Sequence, residues 1–154
     1  MKLAEALLEK KNVVARIAEL QGRYSAAAVI EEGTEPDESA EEILTSLSAA
    51  LLNWENLTVS INLTNNVVKV GDGTMMKALA HRDSLKTQIA HYSAIANSIR
   101  QRNRRGYGET ATKMVIAEGV STKYFIKLVD DLSKELRMLD AEIQAANWVN
   151  ELTA

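Results

Sequence analysis

The chain has 154 residues, a single proline, no cysteine and a formal net charge of −3 at pH 7. That length fits one domain able to bury a real core, and the lack of cysteine excludes a disulfide frame, a thiolate nucleophile and a thiolate metal site. The small negative charge provides no global pull toward nucleic acid or anionic lipid.

Aromatic residues make up only 5% of the chain, and Ala and the aliphatics dominate, a balance that favours helices packed on helices over a sheet sandwich. The opening MKLAEALLEKK sets Glu5 and Glu9 where a signal peptide needs an uninterrupted apolar run, so the expected compartment is the cytoplasm. No segment is apolar for long enough to span a bilayer. Asn56 and Asn62 begin Asn-x-Thr triplets inside helical pattern, where they read as chance matches.

Leu3, Leu7, Val14, Ile17, Tyr24 and Ala28 recur at helical spacing and predict a first helix from about Lys2 to Ile30. The stretch EEGTEPDESAEE then breaks the pattern. Pro36 fits the first position of a second helix, and the acids after it suit a helix N-terminus. That helix carries a heptad ladder of Leu44, Leu47, Leu51, Trp54, Thr58, Ile61 and Asn65. It ends in NNVVKVGDGT, a short β-prone stretch with a Gly-Asp-Gly turn, after which Thr74 can cap a third helix. The third ladder is Leu79, Arg82, Leu85, Ile89, Tyr92, Ala96 and Ile99, ending near RNRRGYG. An irregular stretch follows, in which Met114 to Ala117 reads as a short strand, and Ser121 or Thr122 caps a last helix bearing Phe125, Val129, Leu132, Leu136, Leu139, Ile143 and Ala146. The expected fold is all-α and a single domain over 1–154. Long antiparallel helices form a four-helix bundle or paired helical hairpins, with short β-prone connections.

Up-down order gathers the finish of helices 2 and 4 and the start of helix 3 at one end. Asn62, Asn65, Arg82, Asp83, Asp140, Gln144, Asn147 and Trp148 collect there, with Thr64, as a polar end-layer. Buried amides and charges must bond to one another. The layer is therefore expected to lock helix 4 against helices 2 and 3, with Trp148 shielding it and its indole N–H finding a partner. A ligand or ion site built from the same groups is the alternative. The opposite end gathers the acids Glu31, Glu32, Glu35, Asp37, Glu38, Glu41 and Glu42 and the cations Arg100, Arg102, Arg104 and Arg105. The expectation there is a solvated, partly self-neutralised surface. With Tyr107 as a stacking aromatic and Lys113 nearby, the cluster also supports a nucleic-acid contact.

His81 and His91 lie ten residues apart with no Glu-x-x-His pair, so no metal site is expected. VKVGDGTMM lacks both the third glycine of the dinucleotide fingerprint and the Gly-Lys-Ser/Thr of a Walker loop, and Gly71 to Thr74 read as a turn and a cap. With no nucleophile motif either, the expectation is a protein without catalysis or cofactor.

MKLAEALLEK, INLTNN, DGTMMKALAHRDSL and above all LDAEIQAANWVNEL resemble a family of small bacterial all-helical proteins of uncharacterised function, some of which carry the label septicolysin. The resemblance spans most of the chain and implies a helical, self-associating protein with no established active site to carry over. The label implies a cytolysin, whereas this sequence has neither a secretion-type start nor a membrane-inserting apolar segment. A homo-oligomer without membrane contact is the expected assembly, nucleic acid is the alternative partner, and the residues name no small-molecule ligand.

Overall fold

The computed structural model describes residues 1–105 and 114–153. It holds four long helices, α1 (Leu3–Ala28), α2 (Ala40–Val67), α3 (Met75–Arg105) and α4 (Thr122–Val149), and two short strands, β1 (Lys69–Val70) and β2 (Gly73–Thr74). The all-α expectation holds. The residues group into two compact units. One contains Met1–Lys69 with Gln144–Ala154, and the other Val70–Ile143.

In the first unit α1 and α2 form an antiparallel hairpin, with Lys10 stacked over Trp54. Arg23 near the end of α1 pairs with Glu38 just before α2. Leu3, Ala6, Val13 and Leu20 of α1 and Ile43, Leu57 and Ile61 of α2 are buried. The buried stripe of α2 follows the expected ladder only in part: Ile61 is buried and Leu47, Thr58 and Asn65 half-buried, whereas Leu44, Leu51 and Trp54 are exposed. The register shifts so that Ile43 and Leu57 face inward instead. This helix is apolar on more than one face, and a period alone cannot say which face turns inward.

α2 also starts later than expected. Its N-cap is Ser39, whose hydroxyl accepts from the Glu42 backbone N–H at 3.4 Å, leaving Pro36 in the connection. A serine cap with Glu41 and Glu42 in the first turn satisfies free N–H groups and the helix dipole, which a proline at the first position cannot do alone.

In the second unit α3 and α4 run antiparallel, with Tyr92 against Phe125 at a ring separation of 6.1 Å and His81 against Glu135. The expected ladders of both helices face inward: Leu85, Ala96 and Ile143 are buried and Leu79, Ile89, Tyr92, Phe125 and Leu136 half-buried. β1 and β2 pair across Gly71 and Asp72, and Gly71 takes φ +54°, the left-handed conformation that glycine adopts freely. Thr74 then caps α3 by accepting from the Lys77 N–H, and Ser121 caps α4 by accepting from the Tyr124 N–H. Met114 to Ala117 is not a strand. A β-prone run has no extended conformation to hold without a neighbour for its backbone hydrogen bonds, and among the described residues the sheet contains only β1 and β2.

Candidate functional site

The expected polar end-layer divides between the two units. Asn62, Asn65, Gln144, Asn147 and Trp148 belong to the first, and Arg82, Asp83 and Asp140 to the second. Asn147 is buried at 7% exposure, while Asn62 and Gln144 are exposed and Asn65 half-buried. Trp148 is 64% exposed, so its ring shields nothing in this chain. Its place in the helical period accounts for this: it follows the inward-facing Asn147 and so projects to the side of α4 away from that contact. Arg82 is spent on its neighbour Asp83, at 3.2 Å, and Asp140 is half-buried.

Within the first unit a clasp built from other groups ties the two ends of the described chain together. Just past α4, the Leu3 N–H donates to the Asn150 carbonyl at 3.0 Å and the Leu152 N–H donates to the Met1 carbonyl at 2.8 Å, forming an antiparallel bridge between Lys2 and Glu151. Lys2 Nζ adds a bond to the Val149 carbonyl at 3.0 Å and an ion pair with Glu151 Oε1 at 2.8 Å. The Lys2 N–H in turn donates to the Glu5 carboxylate at 2.7 Å, starting α1. Thr64, fully buried on α2, ties the third strand of chain: its Oγ1 donates to the Ser60 carbonyl at 2.7 Å and accepts from the Thr153 N–H at 2.8 Å. Asn150 and Thr153 carried no sequence signal because they act in the clasp through backbone atoms, and the Lys2–Glu151 ion pair joins residues almost the whole chain apart. The Lys2 ammonium beside Glu151 holds its carboxyl below the usual carboxylate value of 4.5.

At the other candidate surface, Glu38 is paired with Arg23 of α1, Nε to Oε2 at 2.8 Å, and Arg23 also reaches Glu19 at 3.2 Å. The guanidinium of Arg23 keeps the Glu38 carboxyl below its ordinary value, and Arg16 followed by Arg23 does the same for Glu19. Within the first unit it is Arg23 that neutralises Glu38, and within the second Arg82 pairs with Asp83. Arg100, Arg102 and Arg104 are exposed, and Arg100 donates to the Asn97 side-chain carbonyl at 2.9 Å. Tyr107, Lys113 and the side chain of Arg105 lie outside the described residues.

One more concave surface lies in the second unit. A cavity of about 340 Å³ is lined by His81, Asp131, Lys134, Glu135, Met138, Leu139 and Glu142. His81 Nε2 and Glu135 Oε1 stand 2.8 Å apart across it, both side chains about half exposed. No group of three His, Asp or Glu side chains among the described residues is placed to hold a metal ion. The His81–Glu135 pair thus sits in a wide surface groove beside the charged side chains of Asp131, Lys134 and Glu142.

Residues 10–152 match the model of a family described as a family of unknown function, DUF6847. The fold is similar to the crystal structure of a functionally unknown conserved protein from Corynebacterium diphtheriae, with a TM-score of 0.90 and 34% identity over 99% of each chain. No curated protein matches. Neither match carries the lytic label of the resembling proteins.

Proposed function

The chain belongs to this family of unknown function, and we propose that it is a non-catalytic cytoplasmic helical protein that self-associates and serves a structural or protein-interaction role. One observation carries the proposal: every helix leaves large apolar side chains in solvent, among them Leu8 on α1, Leu52 on α2, Ile95 on α3 and Trp148 on α4. Single exposed apolar residues are ordinary, but such a number on four adjacent-turn patterns marks surface that association covers. The absence of catalysis is supported by how the polar groups are used. Those of the terminal clasp are bonded to one another, and Arg82 is held by Asp83.

Light scattering across a hundredfold range of concentration, a span set by mass action (about two decades), tests the proposal. A mass that is a multiple of 16.9 kDa is expected, and 16.9 kDa throughout overturns it. Cell fractionation tests the compartment, with recovery in the soluble cytoplasmic fraction expected.

Exposed Arg100, Arg102 and Arg104, unpaired with acids among the described residues, favour a second role in contacting phosphate. That role requires salt-sensitive RNA or DNA binding that Arg102→Glu weakens, and no binding at low salt ends it. A small-ligand or metal site at Asn65, Arg82 and Asn147 has no comparable observation behind it.

A further inference from the structure

Resting on the self-association proposed above, we infer that the contact between copies is made by the outer face of α2 against the same face of a second chain, paired about Asn56. From Ile43 to Val68 this helix carries a single charged residue, Glu55, in a chain that is 25% charged overall. A helix so poor in charge is ordinarily covered on both sides. Its inner side, Ile43, Leu57, Ile61 and Thr64, is buried in the first unit. The opposite side is a second stripe: Ala49, Leu52, Asn56, Val59, Leu63 and Asn66 follow one another at alternating spacings of three and four, and all are exposed. Leu52 is 59%, Val59 51% and Leu63 47% exposed. That spacing places all six on one face, and four of them, Ala49, Leu52, Val59 and Leu63, are apolar, the character of a helix seam that meets another helix.

Chemistry on the page selects a second copy as the occupant. An acidic or basic partner finds no opposite charge on this stripe. A lipid surface would require lysines or arginines flanking the apolar face, and α2 has none; nor is any helix among the described residues long and apolar enough to cross a membrane. An uncharged face is complementary to itself. Asn56 lies midway between Ala49 and Leu63, so two copies related by a two-fold axis bring their Asn56 amides together, where each can donate to and accept from the other. Asn66 lies at the edge of the stripe, whereas Asn56 stands at its centre among apolar groups, and an amide so placed fixes register, because any slip leaves it unpaired. The area is also sufficient. With the flanking Leu44, Leu51 and Val67, the exposed apolar side chains offer on the order of 600 Å² per chain, most of the roughly 800 Å² that each partner contributes to a standard interface.

The test uses the absence of cysteine. Asn56→Cys, oxidised mildly, is expected to yield a disulfide-linked dimer, with Met138→Cys on α4 as the exposed control that does not. In sedimentation, Leu52→Glu with Leu63→Glu is expected to bring the wild-type mass down to 16.9 kDa with helicity by circular dichroism retained. Met138→Glu should keep the wild-type mass. If the wild type is oligomeric, Asn56→Cys fails to cross-link and the double variant keeps its mass, the α2 contact is wrong while self-association stands. If the wild type is monomeric at every concentration and Asn56→Cys does not cross-link, both fail. Should the double variant not fold, the cross-link alone decides.

Discussion

Replacing Thr64 by Val removes one oxygen from a fully buried position and leaves the shape of the side chain almost unchanged. The hydroxyl has two bonds. The one to the Ser60 carbonyl, 2.7 Å, is a local back-bond to an acceptor that already belongs to the helix ladder, and its loss costs little. The other receives the Thr153 N–H at 2.8 Å and is the tie between α2 and the tail that follows α4. Losing a net hydrogen bond and leaving its donor without the acceptor costs about 1–2 kcal/mol. For a chain of this size that is a fall in Tm of roughly 3–6 °C. The assay is urea or thermal unfolding of Thr64→Val in two backgrounds, the full chain and a chain ending at Asn150. In the shorter chain Thr153 is absent, so the same substitution should cost almost nothing. An equal loss in both backgrounds, or none in either, refutes the view that Thr64 acts through the tail.

Other outcomes follow from the same structure. Gly71→Ala forces a left-handed φ of +54° on a residue with a Cβ, which meets only Glu142 Oε2 at an ordinary 3.7 Å; the loss should be about 1 kcal/mol from backbone strain, with Gly71→Asn milder, as read by urea unfolding. Ser39→Ala should cost about 0.5 kcal/mol, the low end for an N-cap, because the bond it removes is long at 3.4 Å. Glu19, Glu38 and Glu151 all have carboxyl pKa values lowered from 4.5 by their cationic partners. A lowered value in the folded state favours folding above the unfolded value, and that contribution is lost as the pH falls below 4.5 through the folded values. The urea midpoint should therefore drop as the pH falls below 4.5, and less steeply in Glu38→Gln with Glu151→Gln; identical profiles would remove these pairs from the account.

The helices were legible where polarity marked their outer faces. In α3 and α4, charged residues alternate with the apolar ladder, so only one face could turn inward, and Leu85, Ala96 and Ile143 do. α2 was legible as a helix but not in its orientation. With Glu55 as its single charge from Ile43 onward, Leu44 and Leu51 were as eligible for the core as Ile43 and Leu57. Asn147 was correctly placed inside, whereas its neighbour Trp148 was drawn in with it by residue type, although one step along a helix turns a side chain by about 100°. The clasp left no trace in the sequence, since the bonds from Leu3 to Asn150 and from Leu152 to Met1 are between backbone atoms almost the whole chain apart. Periodicity reports which side chains share a face, and it is blind to main-chain partners.

The bridge between Lys2 and Glu151 makes the first unit a closed ring of chain, opened only where it departs at Lys69 and returns at Gln144. The order of residues along the gene and the order of contacts in the molecule are then separable. A few added glycines joining Ala154 to Met1 would turn the clasp into an ordinary hairpin turn, and new ends opened in the connection between Ala28 and Ala40 would cut no helix. Such a rearranged chain would have its α1 contact local to α4 and its α1–α2 contact distant. During synthesis, the α1–α2 contact, the first one available to the natural chain, would become the last, and the clasp would close before it.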